Sequence, residues 1–125
     1  MRILVPTAGE EAAVEIADYV ILVARQLDAE LTVLHILKDD ESKAAGRDCC
    51  AVFLQAAHDT GVSVTSRVAM GDVVDTIIAA AKDIHADLVL MGASSGTVVE
   101  NWLSANVMDQ CDVPVLVVPH CYRRF

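Results

Sequence analysis

The residues best placed to do chemistry are Gly92-Ala93-Ser94-Ser95-Gly96-Thr97. An unbroken apolar run, Leu88 to Met91, leads into them, and helical periodicity follows from Val98 to about Cys111. That is strand, tight turn, helix. In an open α/β sheet this junction sets backbone N–H groups and a helix N-terminus at the carboxyl end of a strand, where phosphates and other anions bind. Ser95 or Thr97 could donate to a phosphate, a sulfate or an uncharged ligand, and Gly96 could shift the tight turn by one position. Hydroxyl residues are also ordinary caps at a helix start, so Ser94, Ser95 and Thr97 equally fit capping alone.

The other candidates are weaker. His35 falls late in an apolar stretch and, with no Cys or carboxylate placed beside it, reads as a core histidine rather than a base or ligand. Asp72 and Asp75 read as charges at a helix N-terminus rather than a catalytic pair, and Gly71 as a turn residue. Ser94 and Ser95 do not sit in a G-x-S-x-G elbow, and no G-x-x-x-x-G-K-[ST] loop is present. The cysteines, Cys49, Cys50, Cys111 and Cys121, form neither a C-x-x-C pair nor a zinc pattern, which predicts reduced thiols, with Cys49-Cys50 as a redox pair the alternative. No metal site is expected.

The elements that must position these residues alternate regularly. Arg2 to Thr7 predicts a strand, with Pro6 near its end. Glu10 and Glu11 open a helix with Ala13, Ile16, Ala17, Val20, Ala24 and Leu27 at helical spacing, widened by Ile21, Leu22 and Val23; Asp28 ends it, a residue that tolerates left-handed backbone. Ala29 to Leu37 predicts strand two. The polar stretch Lys38 to Arg47 reads as a loop becoming helix, whose apolar face is Cys50, Phe53, Leu54 and Ala57 and whose end is capped by Gly61. Val62 to Ala69 is a half-buried strand near a sheet edge. Asp72 caps a third helix with Val73, Val74, Ile77, Ile78 and Ala81 on its face and His85 at its end. After strand four, the fourth helix would bury Val99, Trp102, Leu103 and Val107, and Val113 to Val118 is the last strand. Strands joined by helices predict one α/β domain, residues 1–125: a parallel sheet with right-handed crossovers and helices on both faces.

Composition narrows the function. The chain has 125 residues, 54% hydrophobic and only 4% aromatic, so its core must be aliphatic. A net charge of −9 disfavours nucleic acid as a partner. No apolar run reaches the ~18 residues of a membrane span, and Met1-Arg2 runs directly into strand one, so neither membrane nor signal peptide is expected and the cytoplasm is the expected compartment. The last strand is wholly apolar; at a sheet edge it would invite pairing, which predicts a homodimer through Val113 to Val118.

Five segments in order, RILVPT-x-G, AELTVLHI, Gly71-Asp72 before V-x-x-I-I-x-x-A, ADLVLMG and DVPVLVVP, make the chain resemble the universal stress protein family over essentially its whole length. The resemblance implies an adenine nucleotide alpha hydrolase-like fold, with a five-stranded parallel sheet of order 3-2-1-4-5 dimerised through the last strand. It also implies that ATP or AMP could bind between strands one and four, with none required. Pro6, Thr7, Ala8, Ile36, Gly71, Met91, Gly92, Ser94, Ser95, Gly96 and Asn106 are the candidate crevice.

This sequence departs from the family pattern of Gly, two residues, Gly, nine residues, Gly, then Ser or Thr. Gly92 matches the first glycine, but Ser95, Ala105 and Asn106 replace the rest, and Ala8 stands where the family's nucleotide-binding Asp belongs. A hydrogen bond to a charged group contributes roughly 1.5–3 kcal/mol. Losses totalling ~3–6 kcal/mol would weaken ATP binding about 10²–10⁴-fold. The expected function is a non-enzymatic stress-response regulator with weakened or absent ATP binding. The alternatives are an ATP- or AMP-binding protein using an altered loop and, least supported, a slow ATPase, for which only Asp39 and Asp40 offer carboxylates.

Overall fold

The computed structural model describes residues 1–7, 10–37, 43–92 and 105–118. Five strands form one sheet: β1 (Arg2–Thr7), β2 (Glu30–Leu37), β3 (Val64–Met70), β4 (Leu88–Gly92) and β5 (Val115–Val118). Their order is β3-β2-β1-β4-β5, and every pair is parallel. Helices α1 (Glu10–Leu27), α2 (Lys43–Ala56) and α3 (Val73–Asp83) make the crossovers, and residues 105–110 are helical before β5. The alternation and the order match the expected α/β architecture.

Strand alternation sorts the core onto two faces. Ile3, Val5, Leu31, Val33 and Leu90 point to one, where α1 brings Ala13, Ala17, Val20 and Ala24 and α2 brings Cys50 and Phe53. Leu4, Leu34, Val89 and Met91 point to the other, against Ile77, Ala80 and Ala81 of α3 and Val107. With both faces covered, β1 is wholly enclosed from Ile3 to Pro6, as a central parallel strand requires.

Helix ends follow local chemistry. Asp28 closes α1 in left-handed backbone at φ 51°, as its sequence position predicts. Asp72 caps α3, its carboxylate accepting from Asp75 N at 3.0 Å. His85 follows α3 at φ 54°. At the foot of the sheet, Arg2 ties three elements together: its Nε donates to Glu30 at 2.8 Å, its Nη1 donates to the Ile84 carbonyl at 2.9 Å, and its backbone N donates to Asp87 at 2.9 Å.

Several expectations need correction. Leu54 was expected on the buried face of α2 but is about half exposed, at 48%. Leu22 and Val73 are likewise exposed, so α1 buries a single broad stripe, and the inner face of α3 is Ile77, Ala80 and Ala81. In each case two apolar residues stand side by side, and a helix can turn only one of them inward. The end of α2 comes at Ala56, before Gly61, and Asp59 is the first residue beyond it with positive φ. β3 runs two residues later at its start than Val62, and β5 begins at Val115 rather than Val113. Val99, Trp102 and Leu103 lie outside the described residues, whereas Val107 is fully buried.

Candidate functional site

The order β3-β2-β1-β4-β5 reverses the direction of winding between β1 and β4. The carboxyl ends of those two strands therefore flank the crevice where open α/β sheets bind ligands. Pro6 keeps that crevice unbonded. The Arg2 carbonyl accepts from Asp87 N, which shows that Arg2 turns its backbone towards β4; strand alternation places Leu4 and Pro6 on the same side. Pro6 has no N–H to give. The β1–β4 ladder covers Ile3↔Leu88 and Leu4↔Val89, whereas pairing on the outer sides runs on to Thr7↔His35 and Gly92↔Val118. A proline in a central strand is unusual, and here it falls where the two strands must separate.

The structure brings Pro6, Thr7, Met91 and Gly92 to this crevice end, with Ile36 one strand away on β2. Pro6 is buried, Thr7 and Ile36 are half-buried, and the Met91 side chain is buried against the α3 face, in the same cluster as Leu34 and Val107. Ile36 packs against that cluster from its rim. Asn106 is exposed beside Val107. Gly71 is not part of the group: it sits beyond β3, three strand spacings or about 14 Å from β4. Its φ of 135° explains the glycine as a turn residue. Ala8, Ser94, Ser95 and Gly96 lie outside the described residues.

Gly92 has a packing reason to be glycine. A Cβ built there would meet Ile16 Cγ2 at 3.3 Å and Cδ1 at 3.6 Å, so the approach of α1 already favours a bare backbone. The glycine is thus accounted for without a ligand. Sequence reasoning missed this because the α1–β4 contact spans most of the chain.

It also missed the pairing of Thr7 with His35. His35 is 1% exposed, and its Nδ1 lies 3.5 Å from the Thr7 hydroxyl, across the register Thr7↔His35. Strand alternation places both side chains on the α1 face, where Ile3, Val5, Leu31 and Val33 also point. The signal was available: Thr7 is the last residue of β1 and His35 the last but two of β2, and the two strands pair in parallel.

A model of the universal stress protein family matches residues 39–119, well over half of the chain. The chain belongs to the universal stress protein family. Members of that family are non-catalytic stress-response proteins, and this universal stress protein is accordingly not an enzyme. A universal stress protein of Methanocaldococcus jannaschii is 25% identical over 137 residues, spanning 94% of this chain and 81% of that protein. Among solved structures, a universal stress protein in complex with cAMP superposes with a TM-score of 0.76 at 21% identity, covering 95% of this chain and 96% of that one. A family member from Arabidopsis thaliana with AMP bound gives 0.71 at 19% identity, covering 95% and 91%. Those two relatives hold cAMP and AMP respectively.

Among the described residues, no group of three or more acidic, histidine or cysteine side chains could hold a metal ion, and no helix is long and apolar enough to cross a membrane. Cys50 is buried with its thiol 4.0 Å from the Val33 carbonyl, and Cys111 is a free thiol. The Cys49 side chain and Cys121 are outside the described residues.

Proposed function

We propose that this universal stress protein is a cytoplasmic, homodimeric regulator whose crevice between β1 and β4 grips ATP weakly or not at all. The observation that carries the reading is the contrast between frame and contacts. Pro6, Met91 and Gly92 keep the crevice in place, while Ala8, Ser95, Ala105 and Asn106 occupy the positions of the family's nucleotide contacts. Gly92, the one motif glycine retained, also sits close against Ile16 of α1, 3.3 Å from where a Cβ would stand. The test is direct: denature the purified protein and assay for released nucleotide, then titrate ATP and AMP by calorimetry. Millimolar or absent ATP binding is expected, and a micromolar ATP site would end the reading.

A second reading, adenine-nucleotide binding through an altered loop after β4, draws support from the cAMP- and AMP-bound relatives. Ser94, Ser95 and Gly96 would then supply the hydroxyl and backbone donors to a small anion.

The dimer is proposed through β5. That strand is the sheet edge, and Val115, Leu116 and Val117 are only half-buried, so an apolar edge with unpaired backbone is left open. An antiparallel meeting of two such edges across a two-fold axis would cover both. Leu116→Lys is expected to halve the mass seen by light scattering with the far-UV circular dichroism unchanged. A folded variant that stays dimeric would exclude β5 as the contact.

A further inference from the structure

We propose that residues 119–125 of one copy dock across the acidic foot of the sheet in the other, with Arg123 and Arg124 pairing with carboxylates there, so that the two copies clasp each other. This rests on the β5 dimer proposed above. The receiving surface is an open cleft of about 590 Å³ whose lining includes Arg2, Asp28, Glu30, Ser63, His85 and Asp87. α1 and α3 both end here, at Asp28 and His85, and the carboxyl ends of helices favour cations. The arginine of the cleft, Arg2, is already committed to Glu30 and the Ile84 carbonyl. Asp28 makes no hydrogen bond or ion pair among the described residues. Asp112, exposed and just ahead of β5, carries the negative track out to the sheet edge.

The occupant follows from charge, strand direction and length. Residues 119–125, outside the described ones, read PHCYRRF: two arginines and no acidic residue, on a chain of net charge −9. Within one copy they start from the far end of the sheet. Val118 pairs with Gly92 at the carboxyl ends of the strands, whereas the cleft is at the amino ends. An antiparallel meeting of two β5 edges reverses this. Centred on the strand, it sets Val118 of one copy beside Val115 of the other, level with Val89 and two residues above Asp87. From there Asp87 lies two strand spacings inward, about 10 Å, and Glu30 four, about 19 Å. Extended chain covers about 3.3 Å per residue, so Arg123 and Arg124 come about 17 and 20 Å beyond Val118. Arg123 reaches Asp87 with chain to spare, and Arg124 reaches Asp28 and Glu30.

The experiment measures the dimer dissociation constant of the full chain by sedimentation equilibrium, at about 50 and 300 mM salt. Arg123→Glu with Arg124→Glu should raise it ~10-fold at low salt, with a smaller rise at high salt as exposed charges are screened. Arg124→Lys keeps the charge and supplies an amine. A carbodiimide should then join that amine to Asp28, Glu30 or Asp87 between copies, read by peptide mapping of dimers mixed from isotopically light and heavy chains. An unchanged dissociation constant, a rise indifferent to salt, or a cross-link that is absent or confined to one copy would overturn the docking. Each would leave standing the β5 dimer, which Leu116→Lys tests separately. A monomeric parent chain would overturn the dimer, and the docking with it.

Discussion

Phe53→Ala should cost this protein about 3–5 kcal/mol, the range for emptying a buried aromatic site. Phe53 is fully buried and is among the largest side chains wholly inside the core. It joins α2 to α1 and to the sheet face formed by Ile3, Val5, Leu31 and Val33. The core around it is mostly Val, Ile, Leu and Ala, so few neighbours are long enough to collapse into the space. A single domain has roughly 5–15 kcal/mol in total, so the variant should lose a large share of its stability and its urea midpoint should drop steeply. Leu54→Ala is the matched control. One residue further along the helix, Leu54 is half exposed, and its truncation should shift stability by only about 0.5 kcal/mol or less. Equal losses for the two variants would mean that α2 is rotated from the orientation described here.

That pair marks the border of what the sequence makes legible. The element order, the two-faced parallel sheet and the boundary residues Asp28 and Asp72 all follow from local chemistry: alternating periodicities, a residue that tolerates left-handed backbone, a side chain that caps. Leu54, Leu22 and Val73 do not, because each stands beside another apolar residue and the helix can face either way. The choice is made by what packs on top, and for α2 that is α1, a contact absent from any local window. The candidate site divides in the same manner. The junction after β4 can be seen in the run Leu88 to Met91 followed by Gly92. That Pro6 turns towards β4, or that Gly92 meets Ile16, depends on which strands and helices are neighbours. Thr7 and His35 are only ordinary strand residues until the parallel register sets them opposite each other.

If the crevice grips ATP weakly, as proposed, putting the family's residue types back should strengthen that grip. A variant carrying Ala8→Asp, Ser95→Gly and Ala105→Gly together is expected to bind ATP about 10²-fold tighter than the parent, or more, by calorimetry. The gain is the reverse of the ~3–6 kcal/mol assigned to the missing hydrogen bonds and close approaches. The three changes should not act alike. An acidic side chain at position 8 adds negative charge, so whatever it contributes must come from a directed contact to the nucleoside part, and adenosine should gain as much from it as ATP. The two glycines open backbone to phosphate, so they should favour ATP and leave adenosine unchanged. Ala105→Gly falls in helical backbone and should cost about 1 kcal/mol of stability, a loss that a thermal melt would register separately. Gly92 needs no change, since it already supplies the first glycine of the motif. If the folded triple variant bound ATP no better than the parent, the substitutions at these positions could not be the reason for weak binding. The cause would then have to lie elsewhere, in a chain whose net charge of −9 repels a triphosphate.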